Sequence, residues 1–227
     1  MVNIDTVYQR VLAIANKEQR GYVTPQEFNL LANQAQLTIF EEYFMLMAQA
    51  QAAIGNDTEY SDIINTLNEK ISIFKKLSSD LTYSNGYFAY PSDMYKLGTL
   101  YYNHNGVSTH NGVEVQEINH NELQDYYQSP LTTPTTSRPL YIKTSSGIEV
   151  FSSTAITTNV KASYIKKPSK AEWGYVVTNG QALYNAGSSE NFELHASEES
   201  VLVMKILELA GIVINKPELV TVGQQKQ

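Results

Sequence analysis

The 227-residue chain has no cysteine, which excludes disulfides, thiol nucleophiles and cysteine-ligated metals. Charge is sparse: Asp, Glu, Lys and Arg make up 17% of residues, against about a quarter in ordinary soluble domains. What charge there is leans acidic, with a formal net charge of −7 and a pI near 5.1, so general affinity for a phosphate backbone is not expected. No apolar run approaches the length of about 20 residues needed to cross a bilayer. The stretch Met1 to Asn16 has no apolar core of signal-peptide type. A soluble chain made in a cytoplasm, with no membrane partner, is the expectation. Tryptophan occurs once and phenylalanine 7 times, yet tyrosine occurs 16 times. Tyr buries a large ring and keeps a polar hydroxyl, which suits protein–protein interfaces. An A·T-rich coding sequence would enrich Tyr, Asn and Ile with no interface at all, so composition leaves both origins open.

The order of periodicities is more informative. Ile4, Val7, Val11, Leu12 and Ile14 fall at mainly helical spacing, with Tyr8 beside them, and the polar run Asn16 to Gly21 closes that helix. A second helix opens at Thr24-Pro25-Gln26-Glu27: a capping residue, a proline at the first helical position, and a glutamate that completes a capping box. Phe28, Leu31, Ala32, Ala35, Ile39 and Phe40 make its stripe, which continues through Tyr43, Phe44, Met47 and Ala48 to Ile54. After the break at Gly55-Asn56-Asp57-Thr58, the residues Ile63, Ile64, Leu67, Ile71, Phe74 and Leu77 predict a third helix reaching residue 80. The short connection makes an antiparallel pair the default, and the shared stripe reads as core.

Beyond Asp80 the period becomes alternating. Asn85-Gly86 between Leu81-Thr82-Tyr83 and Tyr87-Phe88-Ala89-Tyr90 is a hairpin signal. Strands are predicted at Leu97 to Tyr102, Val113 to Ile118 and Val160 to Ile165, a second hairpin around Ser145-Ser146-Gly147, and a brief strand at Trp173 to Val177. Asn119 to Tyr127 reads as a short helix, and Ser129 to Pro139, with three prolines, as a surface loop. Helical spacing returns with Val201, Leu202, Met204, Ile206, Leu209 and Ala210, with Ser197 as a cap and Glu199 in the first turn. The predicted class is α+β: a helical bundle from the N-terminal helices and a C-terminal helix, with an inserted antiparallel β section. The boundaries are 1–80 for the first helical part, 81–185 for the β section, 186–216 for the closing helix and 217–227 for a tail arm.

No chemical motif stands out against its ordinary explanation. Asn16 to Glu27 resembles half of a calcium loop, with Gly21 at the sharp turn, but Arg20 occupies a position that needs an oxygen ligand. The capping box accounts for Glu27 without metal. His104, His110, His120 and His195 show no zinc-ligand spacing on one helix face. There is no nucleophile elbow, and Gly106, Gly112, Gly174 and Gly180 fit neither phosphate-binding glycine pattern. Lys161, Lys166, Lys167 and Lys170 with Tyr164 and Trp173 form a basic–aromatic cluster, read first as a solvated strand end. No catalytic, cofactor or metal residue is therefore nominated, and the chain is expected not to be an enzyme.

Taken in order, several segments resemble the head–tail connector (adaptor ring) proteins of tailed phages, crAss-like and related short-tailed phages in particular. They are Ile14 through Asn29, the turn Tyr90-Pro91-Ser92-Asp93-Met94, Arg138-Pro139-Leu140-Tyr141, Ile148-Glu149-Val150-Phe151, Tyr164-Ile165-Lys166-Lys167-Pro168 with Trp173, and Phe192 through Ile212. Each is short; their shared order carries the resemblance. It implies a structural virion protein at the head–tail junction, assembled in the host cytoplasm. The resemblance further implies a ring of about twelve copies, and a cyclic assembly of this kind needs two different faces per subunit. The implied partners are further copies, a portal protein, neighbouring tail or ring proteins, and genomic DNA passing without sequence reading during ejection. Glu41, Glu42 or Asp62 would face the DNA conduit, and Tyr8, Tyr22, Tyr87, Tyr90, Tyr101, Tyr102, Pro217, Leu219 and Val220 are the interface candidates. A carbohydrate-binding or host-attachment module is the rival reading, because Tyr and Asn suit sugars. A hydrolase on the β section has only scattered Ser, His and Asp behind it.

Overall fold

The computed structural model describes residues 1–17, 23–52, 58–103 and 112–213. Among them the chain is mixed α+β. The helices are α1 (Ile4–Lys17), α2 (Pro25–Ala52), α3 (Thr58–Ser72), α4 (Leu123–Gln128) and α5 (Glu199–Val213). The strands are β1 (Lys75–Leu77), β2 (Tyr83–Ser84), β3 (Tyr87–Phe88), β4 (Met94–Tyr102), β5 (Val113–Glu117), β6 (Leu140–Lys143), β7 (Ile148–Phe151), β8 (Val160–Lys166), β9 (Tyr175–Thr178) and β10 (Gln181–Tyr184). Two compact units result: Met1–Ile73 together with the chain from Pro168 onward, and Phe74–Lys167 between them.

In the first unit α1 is amphipathic, and its spacing decides which face is hidden: Ile4, Val7 and Val11 are all fully buried. Helix α2 begins with the capping box. The Thr24 amide and hydroxyl donate to the Glu27 carboxylate at 2.9 and 2.8 Å, and the Glu27 amide donates back to Thr24 Oγ1 at 3.3 Å. Across its 28 residues, about 42 Å at 1.5 Å each, α2 buries Phe28, Ala32, Ala35, Ile39 and Phe40 and packs against α3 and α5, while α1 packs against α5.

A ladder of side-chain amides fixes the returning chain on α2. Asn29, Asn33 and Gln36 lie at i, i+4 and i+7, on one helical face. Asn29 donates to the Trp173 carbonyl (3.3 Å) and accepts from the Trp173 amide (2.8 Å). Asn33 does the same to Ala171, at 2.8 and 2.9 Å, and Gln36 donates to the Ser169 carbonyl at 2.7 Å. Alternate residues of 169–173 thus pair with a helix as they would with a strand. Gln36 also accepts from the Glu193 amide (3.1 Å), and its side chain is buried. Trp173 is held further: its indole N–H donates to Asp5 at 2.9 Å and its ring lies 4.1 Å from that of Tyr8.

The second unit is an eight-stranded sheet in the order β1-β8-β4-β5-β6-β7-β3-β2. Phe88 of β3, Ile148 of β7, Leu100 of β4 and Val160, Ala162 and Tyr164 of β8 share one core, so strands distant in the order face one another and the sheet is curled. Strand β6 is covered on both faces: Tyr141 enters that core, while Leu140 and Ile142 join Ile118 in a second cluster with Leu123 and Tyr126 of the α4 region. The unit begins and ends at one neck, where the Lys166 amide donates to the Phe74 carbonyl at 2.9 Å.

Three readings of the sequence need correction. The sheet is not purely antiparallel, because β5 and β6 run parallel. The chain between them carries α4 and the proline-rich loop, long enough to return to the starting end of the sheet. Helix α3 stops at Ser72 instead of residue 80; Lys75–Leu77 pair with Ser163–Ile165 as an edge strand. The β segment at Trp173 to Val177 is half of a hairpin, Tyr175–Thr178 with Gln181–Tyr184, turning on Asn179 (φ 52°) and Gly180 (φ 77°). The central unit spans 74–167.

Candidate interaction surface

The titratable clusters of the described chain are structural in geometry. In the sheet unit the Tyr164 hydroxyl donates to Asp93 Oδ1 at 2.8 Å and Lys76 Nζ donates to Asp93 Oδ2 at 2.9 Å. The Lys76 bond, followed by that from Tyr164, holds the Asp93 carboxyl below the usual carboxylate range. The pattern repeats at Glu117, which accepts from Lys143 at 2.8 Å and from Tyr141 at 2.9 Å. Its carboxyl is lowered mainly by Lys143, and burial pushes the Tyr141 phenol up. In both clusters a lysine neutralises the carboxylate and a tyrosine of the sheet core orients it.

Beside the first cluster is a cavity of about 230 Å³, lined by Lys76, Ser79, Asp80, Thr82, Tyr90 and Tyr164 among others. Tyr90 donates to the Thr144 carbonyl at 3.2 Å, and burial raises its phenol above the usual range. Elsewhere His195 Nδ1 accepts from the Ser197 amide at 3.3 Å, so His195 and not Ser197 caps the turn before α5. His104 and His110 lie outside the described residues. Among the described residues no three His, Asp or Glu stand together as a metal site, and no helix is long and apolar enough to cross a membrane.

Opposite its buried stripe helix α2 exposes Leu30 (73%), Leu37 and Met45 (61%), with Glu27 and Glu41 among them, while Leu46 is exposed on the stripe's own side. Glu27, Glu41 and Glu42 are its only charges, and Glu42 is paired with Lys205 at 2.8 Å. A solitary surface helix is expected to carry charge on that side. The β9–β10 hairpin likewise exposes Val176, Val177 and Leu183.

The tyrosines proposed for contact divide. Tyr8 is buried, 4.8 Å from the Phe28 ring, and belongs to the core, because α1 turns it inward with Ile4 and Val11. Tyr87, Tyr90 and Tyr102 are half-buried, Tyr102 and Tyr90 packing on the sheet core. Tyr101 is exposed on the outer side of β4, opposite Lys161 and Glu114. Tyr22, Pro217, Leu219 and Val220 lie outside the described residues. Leu30, Leu37, Met45 and the hairpin were not anticipated. The second apolar stripe of α2 and the Asn179-Gly180 pair were the signals available for them. No protein-family model matches the chain, and no curated protein matches it.

Proposed function

We propose that the chain is a structural subunit of a phage head-to-tail connector, forming a ring below the portal that joins capsid to tail and surrounds the DNA path. The observation that carries this reading is the outer side of α2, where Leu30, Leu37 and Met45 are exposed and Glu27 and Glu41 are the only charges. Such a stripe is the expected side of a helix that meets another protein. The ordered segments resembling connector adaptors, and a helical unit interrupted by one sheet-rich insertion, support the same reading. In it α1, α2, α3 and α5 act as a bundle standing beside its neighbours, Glu41 lies within the contact side of α2, and Asp62, exposed on α3, is available to the conduit.

The test is mass photometry of the purified protein across concentration, with and without a candidate portal protein. Rings, or portal-bound rings, are expected, and Leu30→Glu with Met45→Glu should shift the material to monomer while Trp173 fluorescence stays native. A wild-type chain that remains monomeric and ignores the portal overturns the proposal. The cavity beside Tyr90 and Tyr164 favours a second reading, saccharide binding, which predicts retention of a monomeric chain on a glycan array.

A further inference from the structure

The outer face of the sheet carries a cationic patch. Lys75 of β1 and Lys96 of β4 both take Ile165 of β8 as cross-strand partner, so the two lysines flank one isoleucine on the same face. Lys161 lies on that face too, four residues before Ile165 and opposite Tyr101. Leu77, 49% exposed, and Tyr101, 37% exposed, supply apolar surface between the charges. The facing acids are Asp80, 3.8 Å from Lys161, and Glu114 opposite Tyr101. Neither Lys75 nor Lys96 forms an ion pair among the described residues.

The other unit carries the converse. Glu172 and Glu190 are partners in an isolated antiparallel bridge, each amide donating to the other's carbonyl at 3.0 and 2.8 Å. Both side chains are exposed and neither is ion-paired among the described residues, Lys170 nearby included. Like charges directly opposite destabilise a bridge. The chain between them forms the β9–β10 hairpin, with Val176, Val177 and Leu183 exposed. One surface is thus lysines around apolar groups, and the other an uncompensated glutamate pair beside apolar groups.

We propose that the Lys75–Lys96 face of one copy docks on the Glu172–Glu190 bridge and adjoining hairpin of the next copy. This rests on the ring reading and names the contact: a head-to-tail interface needs two different, complementary patches on every subunit. Charge complementarity favours a second copy as the occupant, because both halves of the match stand on the same chain. The lysines of one subunit relieve the repulsion between the glutamates of another, and Ile165, Leu77 and Tyr101 meet the hairpin valines and leucine.

Charge exchange tests it. Lys75→Glu with Lys96→Glu makes one variant, and Glu172→Lys with Glu190→Lys a second. Each alone should need at least about tenfold more protein to assemble than wild type, since like charges then face across the contact. Mixed one to one, they should assemble at near wild-type concentration, because every contact in an alternating ring is again opposite in sign. The chain carrying all four changes should assemble alone. Recovery on mixing also proves both variants folded. Assembly of each variant at wild-type concentration overturns the proposal, and so does a loss that mixing does not restore. A 30-base-pair duplex retarded by wild type and not by the lysine variant, without recovery on mixing, would assign the lysines to DNA instead. Either result leaves the ring reading standing if wild type still assembles; a monomeric wild type removes the ring reading itself.

Discussion

Lys70 Nζ lies 2.5 Å from a Glu198 carboxylate oxygen, joining α3, which precedes the sheet unit, to the turn that starts α5 beyond it. Glu198 is 5% exposed, and the same ammonium stands 5.8 Å from the Tyr43 ring centroid. Burial, then the charges of Glu198 and Glu42, pushes the Tyr43 phenol well up. The group that compensates Glu198 therefore also sits against an aromatic face of α2, and the ion pair ties the two sequence-distant parts of one unit together.

Removing one partner should hurt more than removing both. Lys70→Met leaves a buried carboxylate uncompensated and is expected to destabilise by about 2–3 kcal/mol, whereas Lys70→Met with Glu198→Leu should recover most of that loss. Urea unfolding followed by the fluorescence of Trp173, the single tryptophan, reads this unit directly. Equal losses for the single and double variants would show that the pair contributes only through packing.

The amide ladder gives a sharper change. Asn33→Asp keeps the acceptor for the Ala171 amide but removes the donors to the Ala171 and Asn29 carbonyls, 2.8 and 2.7 Å away. A loss of about 2 kcal/mol is expected at neutral pH. Gln34→Glu, on the same helix but exposed to solvent, should change stability by less than about 0.5 kcal/mol.

Acid should weaken the sheet unit through Asp93 and Glu117. Both carboxyls are held below their ordinary values in the folded chain, by Lys76 and Lys143 respectively. The unfolded state therefore binds protons first: their contribution is fully present above the ordinary carboxylate range, near pH 4–5, and is lost as pH falls through the lower folded values. Urea midpoints for Asp93→Asn with Glu117→Gln should depend less on pH between about 2 and 5 than those of wild type.

Gly98 sits in the irregular stretch of β4, where the register with β8 shifts between Leu97 and Leu100. A Cβ there would meet the Ser163 carbonyl oxygen at 2.8 Å. Gly98→Val should force the two strands apart and destabilise by about 2–3 kcal/mol. Hydrogen exchange at the amides of Val160–Lys166 would rise first, and unchanged protection there would refute the close approach.

Local signals carried furthest in the sequence. Thr24-Pro25-Gln26-Glu27 states a helix start within four residues, and Asn85-Gly86 states its turn, with φ of 53° and 91°. The Lys75–Leu77 strand was illegible because its partner, Ser163–Ile165, is remote in the chain while Phe74 and Leu77 still matched the helical period. The ladder was hidden for the same reason: Asn29, Asn33 and Gln36 read as a polar face until the backbone of 169–173 lies across them. Tyr8 shows the limit of composition, since a ring suited to an interface is equally suited to a core beside Trp173. The lysine pair around Ile165 depends on sheet register alone, which no run of neighbouring residues encodes.

The neck between Phe74 and Lys166 makes the sheet unit exchangeable. Its two ends leave the rest of the chain one hydrogen bond apart, and Ser169–Trp173 is held by the ladder on α2 and by Asp5 and Tyr8 of α1. A short glycine bridge from Ile73 to Pro168 could replace everything between them without stretching either stub. A different sheet grafted at that point would present a new outer surface while the helices and the ladder stay as they are.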